Sequence, residues 1–230
     1  MIFRQLFDTN SSTYTYLLAD RAGGEALIID PVLENTDRYV RLVEELDLRL
    51  VLALDTHIHA DHVTALGALR AQTQCATALG DMSQAECASL HLREGEPVRA
   101  GSLVLDVLYT PGHTDDSYSL RLPDRVFTGD TLLIRGTGRT DFQNGDPAAQ
   151  YDSLFGKLLK LPEETLVYPA HDYNGMTLST IGEERRWNPR LQVKGKQEYV
   201  DLMNGLKLDN PRLMDVAVPA NRACGVKAAA

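Results

Sequence analysis

No stretch of this chain approaches the roughly 18 consecutive apolar residues of a membrane-crossing helix, so no membrane partner is expected. Basic residues are also in short supply: 23 Lys and Arg stand against 32 Asp and Glu, for a formal net charge of −9. A nucleic-acid partner needs a broad cationic surface to neutralise phosphates, and an acid excess argues against one. An anionic small molecule stays open, provided a local basic cluster holds it. Cysteine is sparse and odd in number. Cys75, Cys87 and Cys224 form neither a Cys-x-x-Cys metal pair nor a close-set disulfide framework, and they read as free thiols of a reducing cytoplasm. Met1–Asp8 lacks a charged segment leading into an apolar run, so no secretory signal is expected. Repeats, charge blocks and low-complexity segments are missing too.

What is present is an ordinary globular composition, 43% hydrophobic and 24% charged over 230 residues, enough for one large domain with a substantial core. Thr13–Ala19 and Glu25–Asp30 read as strands around a Gly23-Gly24 turn. Tyr39, Val43 and Leu46 share one face of a helix predicted over Asn35–Asp47. Leu48–Leu54 is an almost unbroken apolar run, as suits a strand buried on both faces. A helix is expected over His62–Thr73, then strands at Cys75–Leu79, Leu103–Tyr109, Ser117–Leu122, Arg125–Thr128 and Thr165–Tyr168. Pro147–Leu161 reads as a helix capped by Asp146, and helices dominate from Thr177 to Leu206. His91 reads as a surface helix residue and Trp187 as a packing anchor near a helix end.

The chemistry-bearing residues follow strands. His57, His59, Asp61 and His62 come just past Leu54, at the strand end where open α/β sheets hold their ligands. His113 follows the run ending at Tyr109, Asp130 follows Arg125–Thr128, and His171 follows Thr165–Tyr168. Neutral imidazole with carboxylate suits zinc, iron or manganese. A turn or cap role explains one such residue well and the whole set poorly.

In order and spacing, His57-x-His59-x-Asp61-His62 followed by His113, Asp130 and His171 resembles the metallo-β-lactamase-fold signature over about residues 10–175. The resemblance implies an α/β (in some schemes α+β) four-layer αββα sandwich in one domain, 1–230. Its core would span about 1–175 and a short helical C-terminal extension about 176–230. In dinuclear members the matches of His57, His59 and His113 hold one metal. Those of Asp61, His62 and His171 hold the other, and the Asp130 match bridges.

Further stretches narrow the resemblance. His59–Thr64, Gly136–Gln143, Pro169–Tyr173 and Val218–Gly225 are similar to persulfide dioxygenases, which extends the likeness to nearly the whole chain; Thr137 departs, where many relatives carry Cys. That family implies one non-haem Fe(II) per chain, held by His57, His113 and Asp130. His59, Asp61, His62 and His171 would then orient the ligands and hold water. The implied reaction oxidises the outer sulfur of glutathione persulfide with O₂ and water to sulfite and glutathione. A rhodanese-type sulfurtransferase is a candidate donor, and a homodimer a candidate assembly.

Glutathione carries two carboxylates, so an acidic protein needs basic donors for it. Arg139 is the first candidate, because guanidinium pairs bidentately with carboxylate. Asp141 could pair with Arg139 and direct it, Tyr173 could bond the peptide portion, and Lys194 and Arg222 are weaker candidates. The competing enzyme is a glyoxalase II-like hydroxyacylglutathione thioester hydrolase with a dinuclear centre. A storage or sensor protein would instead close the metal's coordination sphere.

Overall fold

The computed structural model describes residues 1–209 and 213–226. Its contacts divide the chain into two units, one made of Met1–Leu92, Pro97–Leu105 and the C-terminal segment, the other of Arg93–Glu96 and Asp106–Asp209.

The first unit carries a sheet of β1 (Ile2–Asp8), β2 (Thr13–Ala19), β3 (Glu25–Ile29), β4 (Arg49–Leu54), β5 (Ala76–Gly80) and β6 (Leu90–Leu92), neighbours in that order. β1 to β3 are antiparallel and β3 to β6 parallel. Parallel neighbours need a crossover. α1 (Thr36–Glu45) supplies it between β3 and β4, and α2 (Leu66–Thr73) between β4 and β5. Tyr39 and Val43 of α1 and Leu66 and Leu69 of α2 pack on Leu17, Ile28, Leu50 and Ala53. Burial of each such aliphatic side chain contributes about 1.5–3 kcal/mol over exposure. α6 (Met214–Arg222) belongs to the same unit, and Cys224 just beyond it joins this core. The pairing of Ile29 with Leu54 brings the ends of β3 and β4 side by side, so Asp30 lies against the loop that leaves β4.

The second sheet runs β7 (Val98–Ala100), β8 (Leu103–Tyr109), β9 (Tyr118–Leu122), β10 (Arg125–Gly129), β11 (Leu166–Pro169) and β12 (Ser179–Thr180). β10 and β11 are its one parallel pair, joined through α3 (Pro147–Gly156). Asp146 caps α3, accepting from the N–H groups of Ala148 and Ala149 at 2.7 and 3.2 Å. α4 (Ile181–Trp187) and α5 (Lys196–Asn204) complete the cover. Leu154, Leu158, Ile181, Tyr199 and Met203 pack on Val126 and Val167. The pairing of Gly129 with Pro169 makes β10 and β11 end together, which sets Asp130 beside Ala170-His171.

Several expectations need correction. α2 starts at Leu66, because the residues before it are pinned out of helical geometry. Leu33 N–H donates to Val63 O at 2.8 Å, Thr64 bridges Val32, and Ala65 N–H donates to Pro31 O at 2.7 Å. α3 closes at Gly156, and Leu158–Lys160 is a separate 3₁₀ turn. His91 is exposed on β6 instead of a helix. Trp187 ends α4 but is 59% exposed, with the Arg135 guanidinium 5.9 Å from its ring centroid, so it anchors no core. Cys87 and Cys224 form a disulfide, leaving Cys75 as the free thiol. The cysteines therefore carry no argument for a reducing compartment. No described helix is long and apolar enough to cross a membrane.

Candidate metal centre

In the first unit the chain leaves β4 through Asp55–His62 and meets Asp30, one residue past β3 with φ +51°. Asp30 accepts from Thr56 N–H at 2.7 Å, from the Thr56 hydroxyl at 3.1 Å and from His59 Nε2 at 3.2 Å. Having given its one proton to Asp30, the Thr56 hydroxyl accepts from His57 Nδ1 at 2.9 Å. This network assigns the tautomers: His57 keeps its lone pair on Nε2 and His59 on Nδ1. His62 Nδ1 donates to Asp61 Oδ2 at 2.9 Å, which also accepts from the Thr13 hydroxyl at 3.2 Å, and Nε2 of His62 keeps the lone pair. Ligand atoms of His59, Asp61 and His62 lie within 4.8 Å of one another, as do those of Asp30, Asp55 and His59. Complete burial pushes the Asp30 carboxyl up to about 6, against the opposing pull of His57 and the Thr56 bonds.

The second unit arranges its donors differently. His113 Nδ1 donates to the main-chain carbonyl of Arg139 at 2.7 Å, which leaves its lone pair on Nε2. That nitrogen stands 3.5 Å from Asp130 Oδ2. The gap is long for a hydrogen bond and matches two ligands that each lie about 2.1 Å from one metal. The other oxygen, Asp130 Oδ1, accepts from His171 Nδ1 at 2.7 Å. His57, His59, His62, His113 and His171 thus each have one ring nitrogen held in a hydrogen bond that fixes the tautomer, a donor set that fits a divalent metal.

The loop Gly136–Gln143 supports this arrangement from behind. Gly138 N–H donates to Asp130 O at 2.6 Å. A Cβ at position 138 would lie 2.4 Å from that oxygen and 2.7 Å from Cγ and Nδ1 of His113, so no larger residue fits. Gln150 Nε2 donates to Gly138 O at 3.1 Å, and Tyr199 donates to Gln150 Oε1 at 2.8 Å. Arg190 reaches Thr137 O at 2.5 Å, and the Thr137 hydroxyl faces Tyr199 Oη at 3.3 Å. Burial pushes the Tyr199 hydroxyl pKa up and the Arg190 guanidinium pKa down.

Arg139 and Asp141 pair with each other, at 2.6 Å through Nε and 2.7 Å through a terminal nitrogen. The pairing holds the Asp141 carboxyl below the usual carboxylate range. The same guanidinium donates to Asp209 O at 2.5 Å and lies 4.6 Å from the Phe142 ring centroid. Tyr173 is 69% exposed, its ring parallel to that of His171 at 6.1 Å. Lys194 is exposed, and its N–H donates to Glu198 at 2.7 Å. Arg222 is exposed at the last position of α6. Its neighbour Asn221 is fully buried, accepting from Thr64 N–H at 2.8 Å and donating to the carbonyls of His59 and His62 at 2.9 and 2.8 Å.

Asp30, Thr56, Gln150, Tyr199 and Asn221 escape the sequence reading. Asp30 had a usable signal, a carboxylate immediately past a strand like the other candidates. Asn221 lies in the family-like stretch Val218–Gly225, but nothing in the sequence marks its partner Thr64, 157 residues away.

A model of the metallo-β-lactamase superfamily matches residues 8–171. The mitochondrial persulfide dioxygenases ETHE1 of Mus musculus and Homo sapiens are each 46% identical over 230 residues, spanning 99% of this chain and 90% of theirs. The chain belongs to the persulfide dioxygenase family of the metallo-β-lactamase superfamily. A crystal structure of ETHE1 from Myxococcus xanthus shares 58% identity at a TM-score of 0.95, covering 98% of this chain and 100% of that one. The metallo-β-lactamase fold expected of the family is the one observed, two mixed sheets flanked by helices with further helices at the C-terminus. As a persulfide dioxygenase homologue, the protein is an oxidoreductase, and its His/Asp groups are those of a metal site.

Proposed function

We propose that the protein is a mononuclear persulfide dioxygenase, holding one Fe(II) through His57, His113 and Asp130 and acting on glutathione persulfide. In balanced form, the persulfide, O₂ and water give glutathione, sulfite and two protons. The observation that carries the reading is the likeness to known proteins: 46% identity with mitochondrial persulfide dioxygenases over 99% of this chain, against 34% over 89% for a hydroxyacylglutathione hydrolase of Thermosynechococcus vestitus. The thioester hydrolase alternative is the less supported of the two for that reason. In the metal-free chain Asp130 Oδ1 accepts from His171, and Oδ2 on the His113 side would be its metal ligand. When bound, iron would supply adjacent open positions at which a persulfide sulfur and O₂ can meet.

The chain's own residues do the rest. Thr56 and the Arg139 carbonyl orient His57 and His113. His59 and His62, tied to Asp30 and Asp61, and His171, tied to Asp130, hold the surrounding polar network in place. For glutathione, Arg139 directed by Asp141 would meet a carboxylate and the exposed Tyr173 hydroxyl the peptide portion. Lys194 and Arg222 would add charge only. A rhodanese-type sulfurtransferase would deliver persulfide that does not arrive free.

The test is anaerobic metal analysis followed by O₂ uptake with glutathione persulfide. About one iron per chain and persulfide-dependent uptake are expected, and His113→Ala should lose both. Two metals per chain with S-lactoylglutathione hydrolysis and no O₂ uptake would overturn the proposal.

A further inference from the structure

We propose that the C-terminal segment is a thiol-releasable clamp on the metal loop, with Asn221 as its positioning residue and the Cys87–Cys224 disulfide as its lock. The Asn221 carboxamide makes three bonds to one short stretch, accepting from Thr64 N–H and donating to the carbonyls of His59 and His62. All three partners are backbone groups of the loop that leaves β4. Asn221 therefore fixes the path of that loop whatever side chains it carries.

The residues after Asn221 are fitted to the same place. Gly67 N–H donates to Cys224 O at 2.8 Å. Gly225 has φ +73°, and a Cβ there would come within 2.0 Å of Thr64 O, so only glycine allows the approach.

α6 needs an external anchor. It has 9 residues with Pro219 inside it, and isolated helices of this length are marginal in water. The disulfide supplies that anchor, joining buried Cys224 to Cys87 in the segment between β5 and β6. Cys87 is the half-buried partner and the one open to attack.

Release balances as a thiol–disulfide exchange. A low-molecular-weight thiolate attacks Cys87 Sγ, the sulfur–sulfur bond breaks, and Cys224 leaves as a thiolate that takes up a proton. A second thiol then displaces the first from Cys87. Two thiols become one disulfide, and the protein gains two electrons and two protons. The proposed reaction releases a thiol of this class, so the choice of reductant, though not the clamp, rests on that reading.

The clamp is tested on the metal-free protein by amide hydrogen exchange, read by mass spectrometry with and without dithiothreitol. Reduction should speed exchange across residues 57–65 by about tenfold, the scale of lost hydrogen bonds in a locally opened segment. Cys87→Ser should exchange fast in both conditions, and Asn221→Ala should expose the Thr64 amide even with the disulfide intact. After anaerobic loading, Fe(II) transfer to a chromogenic chelator should be about 10–100-fold faster from the reduced protein and from both variants. Unchanged exchange on reduction and in Cys87→Ser would overturn the clamp, and Cys87→Ser decides it even if Asn221→Ala does not fold. Exchange that behaves as expected in a chain that takes up no iron would overturn the iron reading and leave the clamp standing.

Discussion

The two units hold their histidines in opposite ways. In the first, donors crowd into one stretch past β4, and His57 is oriented through a side-chain relay in which its ring donates to Thr56 and Thr56 donates to Asp30. In the second, His113, Asp130 and His171 follow three different strands, and His113 is oriented by a main-chain carbonyl. A relay of side chains fails with one conservative substitution. A carbonyl survives any substitution that leaves the backbone in place. The contiguous motif is thus the more fragile half, and the dispersed one borrows its rigidity from the sheet.

The largest effect should come from moving the backbone of the second unit. Gly138→Ala places a Cβ against Asp130 O and the His113 ring, so it should destabilise the protein by about 1–3 kcal/mol and disturb both ligands at once. Thermal unfolding and metal content read the two losses together. Thr56→Val comes next. It keeps the shape and removes the hydroxyl, so metal affinity should fall by about 10–100-fold in chelator competition. Arg139→Ala is the contrasting case, since it leaves the carbonyl that holds His113. Metal affinity should stay put while KM for glutathione persulfide rises about tenfold, the cost of a charged hydrogen bond. A large metal loss in Arg139→Ala would erase the contrast between the units.

The smallest expected effect is a slope. The Asp30 carboxyl is pushed up from its ordinary 3.8 to about 6, so between those values the folded metal-free chain binds more protons than the unfolded one. Its stabilising contribution is full below the ordinary value and is lost as pH rises through about 6. Asp30→Asn should flatten that part of the stability–pH curve, measured by denaturant unfolding of stripped protein.

Legibility followed the range of the physics. Thr13–Ala19 and Leu103–Tyr109 were readable to the residue as β2 and β8, because local composition and turn signals bound them. β1 was not, since only Arg4 and Phe7 of Ile2–Asp8 are well exposed and no period of two emerges. The candidate ligands stood out as His and Asp just after strands. Their supports did not: every residue carries a carbonyl, so nothing marks that of Arg139 as special. Cys87 and Cys224 are 137 residues apart, and only tertiary packing brings them together. α2 was read four residues too early because His62–Ala65 has a helical pattern that long-range backbone bonds override.

The disulfide also fixes a topology. Arg93–Glu96 and Asp106–Asp209, the whole second unit, lie in sequence between Cys87 and Cys224. The bond therefore closes a covalent ring that contains every residue of that unit, while β1 to β5 hang from the ring as a tail. A single peptide-bond cut anywhere inside the ring opens a circle without releasing a piece, and the two fragments part company only once the sulfurs do.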